Sequence, residues 1–266
     1  MKKLILYHKG DAAAVNIMEK LKRFLEEDRK LEERVKIISS DSSILYLDEN
    51  PKLIEEIKTK NYEICIVPSK HKSKAGMKTL SCHPPGNFSI AEYGGSDKTL
   101  GVVNSIYLTE ALLMLKKYNS QADYDVCFEC THHGPTSLEI PVIFIEIGSS
   151  EAEWKNDIAA NTVARVIKGL LDMKTLQKDE RISCIGFGGG HYCRKFSKII
   201  ESEKFALGHI CPKYHLKNLN HELIKQMVEK TLPKPKIALL DKKGLGSEKR
   251  RILELLENFD LESIML

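Results

Sequence analysis

The 266-residue chain contains no apolar stretch approaching the ~20 residues needed to cross a bilayer, so no membrane partner is expected. Nor does its start read as a leader. Met1-Lys2-Lys3 is basic, but the run Leu4-Ile5-Leu6-Tyr7 stops at His8, Lys9 and Asp11, too short for a signal peptide core, and it reads as a first strand. No internal repeat, low-complexity tract or Pro/Ser-rich linker is visible, which excludes solenoid and mucin-like classes. One catalytic domain over residues 1–266 is the expected organisation. Strong charge of one sign is also missing. The net charge of +4 permits a polyanionic partner without demanding one. The seven cysteines are odd in number, and Cys65, Cys127 and Cys184 lie in apolar runs. That pattern fits a reduced, cytoplasmic protein rather than a disulfide scaffold.

Several common site signatures are absent as well. There is no phosphate loop of the Gly-x4-Gly-Lys-Ser/Thr type. Residues Gly186 to His191 imitate a dinucleotide loop, but His191 stands where a small residue must let helix and strand approach. His221-Glu222 has Lys225 where a zinc helix needs its second histidine. Gly94 to Lys98 lacks the closing glycine of a nucleophile elbow. Cys127-x-x-Cys130 has no second ligand pair, and strand residues three apart face opposite ways, so Cys127 reads as core and Cys130 as a strand end.

What is present is an alternation of short apolar runs with helix-period segments. Strands are expected at Lys3–Tyr7, Val35–Ile38, Ile64–Val67, Gly101–Val103, Val126–Phe128, Pro141–Ile147, Ile182–Phe187, Ala206–Ile210 and Lys236–Leu240. Helices are expected at Ala12–Glu27, Pro51–Lys58, Ser105–Lys117, Glu151–Leu171, Arg194–Glu201, His221–Thr231 and Ser247–Asn258. This is the pattern of an α/β sheet covered on both faces. Ser150 and Glu153 make a capping box at the start of the 151–171 helix. The stretch Ser69 to Lys98 has little hydrophobic period and reads as a functional loop within the domain.

Histidine gathers in four short patches. They are Cys82-His83-Pro84-Pro85-Gly86-Asn87, Thr131-His132-His133-Gly134-Pro135-Thr136, Gly188-Gly189-Gly190-His191-Tyr192 and Gly208-His209. Three of these lie on or just after expected strands, and the carboxyl ends of strands line the ligand crevice of open α/β sheets. Glu146 ends the most apolar run of the chain, where an ionised carboxylate is costly unless paired or metal-bound. Imidazole with carboxylate is a donor set that suits zinc. His132 and His133 are adjacent, so both can join one site only if the backbone turns, and Gly134-Pro135 is a turn signal. The glycine triplet offers backbone N–H groups to a phosphate or an oxyanion. Lys70, Lys72, Lys74 and Lys78 form a basic cluster able to neutralise nucleic acid phosphates.

These patches, with Glu146-Ile147-Gly148-Ser149 and Asp241-Lys242-Lys243-Gly244-Leu245, together resemble the archaeal and plant type of D-aminoacyl-tRNA deacylase. The resemblance implies a three-layer α/β/α fold with a mixed sheet, like the phosphorylase and peptidyl-tRNA hydrolase group. It implies hydrolysis of the ester joining a D-amino acid to the terminal ribose of tRNA. It also implies zinc, with two ions per subunit. His132, His133, Glu146 and His191 are then the expected metal ligands, and His83 and His209 the expected catalytic histidines. Asn87, Thr136, Gly188, Gly189, Gly190 and Tyr192 are expected to meet the substrate, and Lys70, Lys72, Lys74 and Lys78 the tRNA. The expected partner is the acceptor end of the tRNA, with no obligate protein partner. Cys130, His8, His71, His215 and His221 are given no role. The rival readings are a phosphorylase or peptidyl-tRNA hydrolase of similar fold, and a tRNA-binding module whose histidines are structural.

Overall fold

The computed structural model describes residues 2–73, 76–173, 180–202 and 204–266. Its strands, in chain order, are β1 Lys3–His8, β2 Val35–Ser40, β3 Cys65–Lys72, β4 Thr79–His83, β5 Val103–Asn104, β6 Asp125–Phe128, β7 Val142–Ser149, β8 Ile182–Phe187, β9 Phe205–Cys211, β10 Thr231–Leu232, β11 Ile237–Leu240 and β12 Glu262–Met265. Six of them form one sheet in the order β2-β1-β3-β7-β4-β6, and four form a second in the order β12-β11-β8-β9. β4 runs antiparallel to β7. The other neighbours in the six-stranded sheet are parallel, so the sheet is mixed, as the resemblance implies.

Strand alternation builds the layers. Ile5, Ile66, Ile143, Ile145 and Ile147 point to one face of the six-stranded sheet, where the helices Ala12–Glu26, Ser105–Tyr118 and Asp157–Asp172 cover them. Leu4, Leu6, Cys65, Val67, Val142 and Phe144 point to the other, where Ile44, Leu47 and Ile57 cover them. The period of two thus serves two apolar faces, which is why β1, β3 and β7 read as continuous hydrophobic runs.

The sequence expectations need four adjustments. The 151–171 helix is two helices, Glu151–Trp154 and Asp157–Asp172, because Asn156 accepts hydrogen bonds from the N–H groups of Ile158 and Ala159 and caps a new start. The capping box of Ser150 and Glu153 is present on the first of them. The short strand expected at Gly101–Val103 is displaced to Val103–Asn104, where it pairs with Thr231–Leu232. The Ser69–Lys98 stretch is not one loop. It contains the end of β3 and all of β4, whose inner positions Ser69, His71, Ser81 and His83 are polar, so no hydrophobic period marks them. β12 is a mostly exposed edge strand with no apolar run to reveal it.

The two sheets meet at the end of β6. Glu129 bridges to Tyr192, Cys130 donates its N–H to His191 O at 2.9 Å, and Thr131 donates its N–H to Ile210 O at 3.0 Å. This seam carries the glycine triplet of the second sheet to the strand ends of the first. Asp11 secures the other flank. It caps the first helix by accepting from Ala14 N–H at 3.0 Å, and its second oxygen accepts from Lys70 N–H at 3.0 Å, one residue before His71. Asp11→Ala should therefore lower unfolding free energy by about 1–2 kcal/mol in urea titration. Asp11→Asn, which keeps a cap acceptor, should recover most of that loss.

Candidate active site

Register and alternation place the functional groups. In the pairing of β4 and β7, Ser81 lies opposite Glu146 and His83 opposite Phe144. In β3 and β7, Ser69 lies opposite Glu146 and His71 opposite Gly148. His71, His83 and Glu146 therefore leave the sheet on one side, and Glu129, one residue beyond β6, joins them. Among the described residues, His71, His83, His132, His133, His191, Glu129, Glu146 and Cys130 form four overlapping triads, and within each triad the donor atoms lie within 4.8 Å of one another.

His132 and His133 both enter this cluster, their rings 4.4 Å apart and 4.1 and 4.8 Å from that of His83. The turn that allows it lies at His133 itself, with φ of +47°, a left-handed conformation rare outside glycine. The surrounding loops hold that turn. Gly134 donates its N–H to Tyr93 O, and a Cβ at Gly134 would lie 2.3 Å from Leu45 O, so only glycine fits. Asp48 accepts from the N–H and hydroxyl groups of both Thr136 and Ser137.

Glu129 is the hub. It is fully buried, its Oε1 accepts from Ser81 Oγ at 2.5 Å, and its Oε2 lies 2.9 Å from His191 Nε2, 3.2 Å from His71 Nδ1 and 3.5 Å from His132 Nε2. Glu146 Oε2 lies 3.4 Å from His71 Nδ1 and 3.7 Å from His83 Nε2. Burial opposes ionisation of both carboxylates. The rings of His191 and His71 beside it nonetheless hold Glu129 well below its ordinary value, and those of His71 and His83 hold Glu146 down to about 2. Burial works against the charged forms of His71 and His191 too. The two carboxylates outweigh it at His71, and Cys130 with Glu129 outweighs it at His191, raising each to about 10.

Three other histidines share a different arrangement. The Nδ1 atoms of His83, His132 and His133 lie 3.1, 2.8 and 2.7 Å from the carbonyls of Pro84, Cys130 and Gly134. A proton on Nδ1 satisfies each carbonyl and leaves the Nε2 lone pair for the cluster. Burial, with the neighbouring imidazoles, lowers His132 well below the usual imidazole range and His133 to about 4, which favours the neutral ligand form. His83 Nε2 and Glu129 Oε2 are buried without a hydrogen-bond partner. Orphaned acceptors in a nitrogen and oxygen donor set fit a divalent metal such as zinc.

The cluster thus gathers the four expected ligands His132, His133, Glu146 and His191, and His83 with them. It does not gather His209. That ring is fully buried, 3.1 Å from Thr131 Oγ1 and 3.0 Å from Gly101 O, so both nitrogens are occupied and burial lowers it to about 3. Asn87 and Thr136 are also turned inward. Asn87 donates to Gly94 O and Ser96 O, and Thr136 links Ser96 to Asp48. Gly188 and Gly189 turn at φ of +101° and +82°, and Gly188 N–H is taken by Cys211 O. Gly190 begins the step to His191 and Tyr192. Tyr192 Oη meets His71 Nε2 at 3.0 Å. Lys70 and Lys72 alternate with His71 and so leave the opposite side of β3, and Lys70 Nζ lies 5.2 Å from the Trp154 ring. Lys78 pairs with Asp123 at 2.7 Å. Lys74 lies outside the described residues.

Sequence reasoning missed His71, Glu129 and Cys130, the last read only as a strand end. Glu129 carried a usable signal, since it follows the apolar run of β6 just as Glu146 ends that of β7. His71 carried none, set between two lysines.

Known proteins bear on this site directly. A family model described as D-aminoacyl-tRNA deacylase matches residues 58–264. The chain belongs to this family. The D-aminoacyl-tRNA deacylase of Thermococcus onnurineus is 36% identical, with 98% of this chain and 99% of that protein covered. That of Methanocaldococcus jannaschii is 33% identical, with 98% of each covered. The crystal structure of a conserved protein of unknown function superposes with a TM-score of 0.88 at 25% identity, covering 99% of this chain and 95% of that one. Within the deacylase family fold, His209 is a packing residue of the seam between sheets. His209→Ala should cost roughly 2–4 kcal/mol of stability through a cavity and an orphaned Thr131 hydroxyl. Turnover per folded molecule, measured well below the melting temperature, should stay near that of the parent protein.

Proposed function

We propose that the buried cluster binds zinc, and that the ester between a D-amino acid and the 3′-terminal ribose at the acceptor end of tRNA is hydrolysed beside it. The chain is a hydrolase of D-aminoacyl-tRNA, an activity in translation quality control. The observation that carries the placement is the set of three Nδ1-anchored histidines facing two ionised buried carboxylates. The triads His83-His132-His133 and His71-Glu129-His191 share no residue, which supports two ions per subunit. His83 then serves as a ligand rather than as a general base.

Zinc held by these residues would supply Lewis acidity toward the ester carbonyl and a bound water of pKa about 7. The chain's own groups do the rest. Backbone carbonyls fix the three histidine rings, so the donor atoms need no reorganisation during the reaction. Glu146, held ionised by the rings beside it, would serve with the histidines as a ligand. Tyr192, held by His71, is placed to return a proton to the departing ribose oxygen.

Release of amino acid from D-tyrosyl-tRNA and L-tyrosyl-tRNA, each with and without a chelator, tests this reading. D-selective release that falls with metal content is expected. D-selective release that persists after verified metal loss would remove zinc from the reaction and leave the histidines as acid–base and positioning groups. No release from either substrate would sink the deacylase reading for this chain. Glu129→Gln should lower bound zinc and cut kcat by about a hundredfold or more, as loss of a buried charged partner at a metal site does. His191→Ala should lose most activity while keeping its far-ultraviolet circular dichroism. Near-normal turnover in that variant would take His191 out of the site.

A further inference from the structure

Four of the eight exposed large apolar side chains among the described residues stand near the cluster, and three of the four are tyrosines. Ile90, Tyr93 and Tyr46 are 72%, 62% and 39% exposed, and Tyr214 is 46% exposed. All four stand on the segments that wall the cluster. Tyr93 O accepts from Gly134 N–H, one residue from His133. Gly94 packs on the backbone of Leu45 and Tyr46 so closely that a Cβ there would lie 1.9 Å from Leu45 O. Tyr214 reaches the cluster from the far side, its hydroxyl 3.2 Å from Cys130 Sγ. His215 joins the two sides, its ring 4.8 Å from that of Tyr214 and 6.3 Å from that of Phe88. Tyrosines presented on fixed backbone are ready-made stacking surfaces, and here the segments beneath them are knit by hydrogen bonds.

We infer that this rim is a stacking platform for the unpaired 3′-terminal nucleotides of the tRNA, with Tyr93 and Tyr46 as the base-stacking side chains. The inference rests on the deacylase reading, because that reaction delivers a single-stranded RNA end to the cluster. An ester on a terminal ribose can reach buried ligands only if the nucleotides before it thread past the rim. Unpaired bases are held by aromatic faces, and the phosphates between them need cations. Exposed Lys98, Lys213 and Lys217 lie on the same two segments, against the exposed acids Glu92 and Asp97, so the cations are concentrated on the Tyr214 side. The stacking is tolerant of base identity, so the platform positions the chain end and leaves the choice of amino acid to the cluster.

Binding of a short single-stranded RNA ending in CCA to the metal-replete protein, followed by fluorescence anisotropy, separates this inference from turnover. Tyr93→Ala should weaken binding about tenfold and Tyr93→Phe should restore it, since stacking needs the ring and not the hydroxyl. With D-tyrosyl-tRNA the alanine variant should raise KM with kcat little changed, and D-tyrosyl-adenosine should be hydrolysed as by the parent protein. Ile158→Ala, on an exposed helix position away from the rim, should leave RNA affinity unchanged. Parental RNA affinity in the Tyr46→Ala/Tyr93→Ala double variant overturns the platform. So does a change in sedimentation coefficient with RNA affinity intact, which assigns the rim to a second copy of this chain. Ring-dependent RNA binding in a protein that releases no D-amino acid would retain the platform and reject the deacylase reading.

Discussion

Two carboxylates buried on the same side of a largely apolar sheet are the constraint around which this structure is arranged. Each buried ion costs several kcal/mol in desolvation unless partners of opposite charge are fixed beside it. Glu129 and Glu146 meet that cost with the raised imidazoles of His71 and His191, and the rings of His83 and His132 stand beside them. The antiparallel insertion of β4 beside β7 brings His83 to Glu146. The extension of β3 brings His71, and the seam between the two sheets brings His191. Move any of these elements by one residue and a ring turns to the other side of the sheet, leaving a buried charge without its partner.

The same demand explains the polar interior of the loops. Asp48, Thr136, Ser96, Asn87 and Gly94 form a closed hydrogen-bonded set whose visible product is the left-handed turn at His133. A non-glycine residue in that conformation persists only where its surroundings hold it. Residues that read from sequence as substrate contacts therefore act one step back, by fixing a ligand's direction. His209 belongs to this group: a histidine beside glycine at a strand end, used to fill and bond the seam.

Much of the fold was legible because strands such as β1, β7, β8 and β9 bury both faces and show as mainly apolar runs, and because long amphipathic helices show their period. β4 and the end of β3 were not legible, since the side of each that faces the cluster is polar. The site itself was half legible. His132, His133, His191 and His83 stand in glycine- and proline-rich patches that mark sharp backbone turns, and Glu146 stands out against its apolar strand. His71 sits in a lysine-rich stretch where a solvated surface was the natural reading, and Glu129 was hidden behind the more conspicuous pair Cys127 and Cys130.

The sequence by itself determined the alternating α/β class, the family and most of the donor groups, because those depend on residue type and on spacing along the chain. Only the tertiary structure decided which donors share one volume, which histidines merely pack, and which way each ring faces. The reason is physical. Strand order, the antiparallel step and the seam between the sheets join residues far apart in sequence, and no local periodicity carries that information.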